Sequence, residues 1–112
     1  MPIPISLQFL APVAPPENIT ALALTSETML VTWDLPLPQY RNGPILAYNL
    51  TVMDPARGVL VETSILLTTS SVVLSLRPFT VYVFYLSART SVGYGPVGNT
   101  SEVTLQDSKC YN

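Results

Sequence analysis

The side chains that carry most enzyme chemistry are scarce in this sequence. It contains no histidine, the commonest general base and metal ligand, and a single cysteine, Cys110. A thiol without a histidine to activate it is not a candidate nucleophile. Cys110 also lacks an internal disulfide partner, so we expect it either to pair with a neighbouring domain or another chain, or to remain a free thiol.

Seven carboxylates are spread singly over predicted strand ends and turns, without the pairing that acid-base catalysis needs. They are Glu17, Glu27, Asp34, Asp54, Glu62, Glu102 and Asp107. We interpret all of them as solvated turn residues. The sequence therefore predicts no catalytic residue, no metal ligand and no cofactor.

Three triplets match the acceptor signal for N-linked glycosylation: Asn18-Ile19-Thr20, Asn49-Leu50-Thr51 and Asn99-Thr100-Ser101. Each asparagine falls on an outward strand position or in a predicted loop. Chance alone could supply about one such triplet in a chain this rich in Asn, Ser and Thr. We expect at least one triplet to be glycosylated, which predicts an extracellular or cell-surface location.

Composition and charge exclude several classes of protein. The 112 residues are 48% hydrophobic and 11% charged, which indicates one folded domain with a single core. The net charge is -2 and the five Lys and Arg residues are scattered, so nucleic-acid binding is not expected. No apolar run approaches the roughly 20 residues that span a bilayer, and we expect no membrane insertion.

Proline clusters alternate with stretches rich in Val, Ile, Thr and Tyr, a pattern typical of short strands separated by turns. Seven strands are predicted, at about 19–24, 29–33, 45–53, 59–63, 71–76, 82–89 and 101–105, with 65–67 either extending the fourth or forming a separate strand. The clearest period of two is formed by Tyr82, Phe84, Leu86 and Ala88. Trp33 is predicted to be a core residue, whereas Val72, Val73 and Leu74 leave their inward register open.

The segment Leu76-Arg77-Pro78-Phe79-Thr80-Val81-Tyr82 resembles the L-x-P-x-T-x-Y signature of fibronectin type III domains. Trp33 followed by Pro36, Ile45 with Tyr48, and the G-x-G of Thr90 to Pro96 are similar to further features of that family. Gly98 and Phe79 depart from its usual pattern, in which a serine and a smaller residue are frequent.

The resemblance implies an all-β fold, a seven-stranded antiparallel β-sandwich of the immunoglobulin-like kind. In it Trp33, Leu76, Pro78 and Tyr82 would be structural, with the Tyr82 hydroxyl bonding back to the preceding chain as a tyrosine corner. We expect residues 16–107 to form the domain. Residues 1–15 would be a linker or the end of a preceding module, whose last strand would contain Ile3, Ile5, Leu7 and Phe9, and residues 108–112 a C-terminal linker.

The resemblance also places the loops Asp34 to Pro44 and Thr90 to Thr100 at the same end of the sandwich. They carry Tyr40, Arg41, Asn42 and Tyr94, which are candidate ligand-binding residues, unless they only shape and pack their own loops. A second candidate surface is the outer sheet face with Leu46, Val83 and Tyr85, unless neighbouring residues or a glycan on Asn49 cover it.

The predicted function is a non-catalytic extracellular adhesion or receptor module, repeated in a larger protein, that binds protein partners and neighbouring modules. The alternative is a passive spacer, as in intracellular muscle proteins or in secreted polysaccharide-degrading enzymes.

Overall fold

In the computed structural model, which describes residues 10–106, the chain forms seven strands and one short helix. Their bounds are β1 Glu17–Ala23, β2 Met29–Asp34, α1 Pro38–Arg41, β3 Ala47–Asp54, β4 Val59–Leu66, β5 Ser70–Val73, β6 Val81–Arg89 and β7 Gly98–Val103. One antiparallel sheet has the strand order β1-β2-β5 and the other the order β4-β3-β6-β7. The predicted seven-stranded β-sandwich is confirmed.

The core lies between the two sheets and follows the period of two of their central strands. Each of β2, β3 and β6 turns every second side chain inward, and the residues that share this burial are Met29, Val31, Trp33, Tyr48, Leu50, Val52, Tyr82, Phe84, Leu86 and Ala88. The rings of Trp33 and Tyr48 meet edge to face across the sheets, with centroids 5.4 Å apart. This contact joins the second and third strands of the chain.

A tyrosine corner closes the connection from β5 to β6. Tyr82 is buried at the start of β6, and its hydroxyl accepts a hydrogen bond of 2.8 Å from the Arg77 amide. Leu76, just before the corner, is buried, and its amide donates to the Glu27 carbonyl oxygen in the turn before β2. The connection is therefore bonded both to β6 and to the other sheet.

Thr104, just after β7, forms hydrogen bonds to the same connection between β5 and β6. Its buried hydroxyl donates to the Arg77 carbonyl oxygen (2.5 Å) and accepts from the Thr80 amide (3.0 Å). The Phe79 amide donates to the Leu105 carbonyl oxygen, and Phe79 itself adopts a φ of 46° with its ring exposed. An aromatic residue in this left-handed region is unusual, and the surrounding bonds hold it there.

Several element bounds differ from the sequence-based predictions. β5 ends at Val73, so Leu76 lies outside it, and Val73 rather than Val72 is the buried residue. β7 begins at Gly98, three residues earlier than predicted, and Asn99 is therefore on a strand. The helix α1 was not predicted, because one turn is too short to show a helical period, although Pro38 at its start is typical of a first turn.

The interpretation of all seven carboxylates as solvated was wrong for Asp54. This residue ends β3 and is 1% exposed. Its Oδ1 accepts a hydrogen bond from the Arg57 amide, and its Oδ2 lies 3.9 Å from the Arg57 guanidinium. Asp54 is buried because the inward face of β3, formed by Tyr48, Leu50 and Val52, continues for two more residues into the segment that the sequence predicted as a turn.

We predict that Tyr82→Phe keeps the fold but lowers the free energy of unfolding by about 1–3 kcal/mol, because the Arg77 amide loses the part-buried acceptor that the Tyr82 hydroxyl provides. Urea unfolding of the purified chain would measure the change. The matched control is Tyr85→Phe in the same strand, since the half-exposed Tyr85 hydroxyl makes no hydrogen bond within residues 10–106. Equal effects of the two changes would contradict a stabilising corner.

Candidate functional site

Two connections meet at one end of the sandwich, which we call the loop end. They are residues 35–46, between β2 and β3, and residues 90–97, between β6 and β7. The antiparallel order of the strands requires this placement, because β2 and β6 finish where β3 and β7 begin. The loop end carries all four candidate ligand-binding residues of the sequence analysis.

A segment preceding the first strand ties the two loops together. We call residues 10–13 the strap. The Leu10 amide donates to the Asn42 carbonyl oxygen (2.8 Å), and the Val13 amide donates to the Tyr40 carbonyl oxygen (2.9 Å). The Asn42 side chain returns a bond from Nδ2 to the Ala11 carbonyl oxygen (3.1 Å). The strap therefore pairs with the first loop much as an added strand would.

The same strap is held by the second loop. The fully buried Thr90 donates its hydroxyl to the Leu10 carbonyl oxygen over 2.6 Å. Gly95 lies so close to the buried Pro12 that a Cβ at this position would stand 2.6 Å from the Pro12 carbonyl oxygen. A residue with a side chain would displace the strap, and this close approach explains the second glycine of the G-x-G segment.

The four predicted ligand residues divide into two pairs. Arg41 donates Nε to the Pro36 carbonyl oxygen (2.7 Å), and Asn42 is occupied by its bond to the strap, so both shape the loop. Tyr40 and Tyr94 instead present their rings, 41% and 42% exposed. The Arg89 guanidinium lies 5.8 Å from the centre of the Tyr94 ring, which supports the ring from one side.

Tyr48 lies beneath this end, buried against Trp33. Burial raises the pKa of the Tyr48 phenol above its ordinary value of 10.0; the Arg41 guanidinium partly offsets this rise and the Asp34 carboxylate adds to it. The neutral phenol is therefore the form that the folded chain favours.

The remaining chemistry of the described chain is sparse. Within residues 10–106 no three His, Cys, Asp or Glu side chains come together where they could hold a metal ion. No helix in this range has the length and apolar character needed to cross a membrane. Cys110 and the segment Ile3 to Phe9 lie outside the described residues.

The three predicted glycosylation triplets lie on strands, and in β3 and β7 the period of two places the asparagine on the same face as the hydroxyl residue two positions later. In β1 the register shifts between Glu17 and Thr20, where Asn18 lies. Asn18 and Asn99 are exposed, and Asn49 is half-buried on the outer face of β3. Asn18 donates Nδ2 to Asp34 (2.8 Å), and Asn49 accepts at Oδ1 from Thr63 (3.3 Å). The structure therefore presents all three without burying any of them fully.

Thr90 and the strap are the parts of this site that sequence reasoning missed. Their contacts join residues about 30 and 80 positions apart, and no local period reports such pairing. The one signal that could have indicated them is the proline-rich stretch before β1, which favours an extended chain that can run along a loop.

Comparisons with known proteins agree with this architecture. The family model described as Fibronectin type III domain matches residues 14–104. Tyrosine-protein phosphatase Lar of Drosophila melanogaster is 38% identical over 96 residues, a match that covers 85% of this chain and 5% of that protein. Ephrin type-B receptor 5 of Gallus gallus is 40% identical over 72 residues, covering 62% of this chain and 7% of the receptor.

A solved structure of domains d3-d4 of the rat CD45 extracellular region aligns with a TM-score of 0.69 at 25% identity. The alignment covers 82% of this chain and 51% of that one. The chain thus spans less than a tenth of either curated relative and about half of this structure.

We predict that Gly95→Ala releases the strap, because the added Cβ would overlap the Pro12 backbone. Hydrogen exchange should accelerate at the Leu10 and Val13 amides, and the free energy of unfolding should fall by about 1–3 kcal/mol. Gly93→Ala is the matched control, since a Cβ there meets nothing within 4 Å. Unchanged exchange in Gly95→Ala would contradict the strap.

We also predict a stability loss in alkali that depends on Tyr48. Because burial raises the pKa of Tyr48 in the folded chain, the Tyr48 phenol of the unfolded chain loses its proton at a lower pH. The stabilisation by the neutral buried phenol is therefore complete below pH 10.0 and is lost as the pH rises through the pKa of the folded chain. Urea unfolding between pH 9 and pH 12 should show a steeper decline for the natural chain than for Tyr48→Phe. Parallel curves would contradict the raised pKa.

Proposed function

Because this chain belongs to the fibronectin type III family, we propose that it is a non-catalytic extracellular module of a larger cell-surface or secreted protein and that it binds other proteins. Two named relatives support the setting. One is an ephrin receptor, and the aligned CD45 domains come from an extracellular region. The three glycosylation triplets, Asn18, Asn49 and Asn99, agree with passage through the secretory route.

The observation that carries the proposal is the pair of exposed tyrosines at the loop end, where the strap holds both loops. Consecutive strap residues contact the two loops, Val13 bonding to Tyr40 and Pro12 lying against Gly95, beside Tyr94. The two rings therefore project from loops whose backbone the strap already fixes. Tyrosine on a rigid support gives a large contact area with little loss of conformational entropy on binding.

The arginines of the described chain support a protein partner rather than a nucleic acid. Three of the four contact groups of the chain itself: Arg41 bonds to its own loop, Arg57 faces Asp54 and Arg89 lies over Tyr94. The fourth, Arg77, is exposed in the connection from β5 to β6, so the four cations are distributed over both ends of the sandwich. They form no continuous basic surface of the kind that phosphates require.

A non-catalytic role is supported by the way the carboxylates are used. Asp54 is buried beside Arg57, and Asp34 accepts a hydrogen bond from Asn18, so both have structural partners. The sequence contains no histidine to complement them. The phosphatase activity in the name of Lar belongs to a protein of which this chain matches 5%.

The alternative function is a passive spacer, and one observation favours it. The strap uses the backbone carbonyl groups of Tyr40 and Asn42 that a partner could otherwise bind. A loop end occupied in this way would serve mainly to fix the angle between successive modules. We accordingly propose that residues 10–15, which the sequence predicts to be a linker, act with the domain of residues 16–107.

The binding proposal predicts that Tyr40→Ser and Tyr94→Ser each weaken binding about 10-fold or more, as expected for exposed aromatic anchors. The probe is the full 112-residue chain, secreted, biotinylated and assembled as tetramers, applied to an array of secreted receptor ectodomains. Binding constants for each hit would then be measured with monomers.

Phe79→Ser is the matched control, because this exposed aromatic ring lies at the opposite end of the sandwich. Binding that survives both tyrosine substitutions, or that is lost on Phe79→Ser, would contradict a site at the loop end. An array without any ectodomain that binds the tetramer would contradict the binding function and favour the spacer.

A further inference from the structure

The outer face of the sheet β4-β3-β6-β7 carries several apolar side chains that are exposed or partly exposed. The strand register aligns Leu60, Met53 and Val83 in one row, and places Tyr85 in the next row between Thr51 and Asn99. Leu60 is 57% exposed and Tyr85 is 37% exposed. Apolar side chains that adjoin one another on an exposed sheet face can mark a surface that is covered by an occupant.

The nearest candidate occupant is attached to the same face. Asn99 pairs directly with Tyr85 across the ladder of β6 and β7, and directly opposed residues have Cβ atoms about 5 Å apart. Ser101, the hydroxyl residue of the triplet, lies on the same face and is also exposed. Within residues 10–106 the Asn99 side chain makes no hydrogen bond that would have to be broken.

We propose that Asn99 carries an N-linked glycan whose first N-acetylglucosamine lies on the ring of Tyr85. In the transfer, C1 of this sugar forms a bond to Nδ2 of Asn99 while its bond to the diphosphate of a lipid-linked oligosaccharide donor breaks. Nδ2 loses one proton, and the lipid diphosphate leaves. The apolar CH face of the sugar then covers the phenol ring that the sheet leaves exposed.

The other two triplets lack this arrangement. Asn18 has a φ of 52° and uses its Nδ2 to reach Asp34, and neither Thr20 nor Thr32 beside it offers an aromatic ring. Asn49 is half-buried, holds Thr63 by its Oδ1, and pairs across the ladders with Ile65 and Ser87. Only Asn99 among the three has a half-exposed aromatic ring directly opposite.

A glycan at this position would close the outer sheet face to protein partners. The inference rests on the proposed function in one respect, since the natural chain must pass through the secretory route to meet the donor. It assigns the face with Val83 and Tyr85 to carbohydrate and leaves the loop end as the surface for proteins.

The test is a double-mutant cycle on the full chain, secreted from animal cells behind a signal sequence and also produced without glycans in bacteria. Glycopeptide mass spectrometry should find Asn99 occupied. In the secreted protein, Asn99→Gln and Tyr85→Thr should each lower Tm by about 4 °C, and the double variant should fall no further. In the bacterial protein the two changes should be additive.

Ser101→Ala provides a second way to remove the glycan, because it deletes the acceptor signal and keeps Asn99. It should reproduce the Tm of Asn99→Gln. Asn49→Gln removes the other triplet of this face and should leave the coupling between Asn99 and Tyr85 unchanged. An unoccupied Asn99, or equal effects of Tyr85→Thr with and without the glycan, would overturn the inference. Neither result depends on whether the tetramer binds an ectodomain, so the proposed function is tested separately.

Discussion

The hydrogen bond between the Arg77 amide and the Tyr82 hydroxyl is the constraint on which the arrangement of the two sheets depends. Tyr82 is the second residue of β6, the strand that pairs with both β3 and β7, and Arg77 lies within the connection from the opposite sheet. The Tyr82 side chain is buried, and its hydroxyl cannot lose this partner without a desolvation penalty, so the bond fixes where β6 begins. With that start fixed, the period of two assigns Phe84, Leu86 and Ala88 to the core.

This dependence explains which parts of the fold the sequence predicts well. Alternation along β2 and β6 reports burial directly, because a strand with one face in the core must repeat every two residues. The corner signature identifies the crossover between sheets by residue type. Two local patterns, Met29 to Trp33 and Leu76 to Ala88, are therefore sufficient to predict the sandwich and most of its core.

The features that the sequence did not predict depend on distant partners. Val72 and Val73 are equivalent in type, and only the pairing of Val73 with Met29 directs it inward. Asp54 is a different case, because its partner Arg57 is only three residues away, and its burial depends on how far β3 extends into the predicted turn. The strap could not be predicted either, because Leu10 forms hydrogen bonds with Asn42 and Thr90, which are distant in the sequence and come together only in the folded chain.

The strap also determines what kind of recognition the loop end can perform. It consumes the Tyr40 and Asn42 carbonyl groups and the Thr90 hydroxyl, so a partner finds few unpaired backbone groups with which to extend a sheet. The groups that remain accessible are side chains, chiefly the rings of Tyr40 and Tyr94. The loops that carry them lose their conformational entropy when the chain folds, so little more is lost on binding. Under the proposed function, a surface of this kind would recognise shape and aromatic contact, and those two rings would set its affinity for a single partner. Repetition of the module would then add avidity without any change in the site.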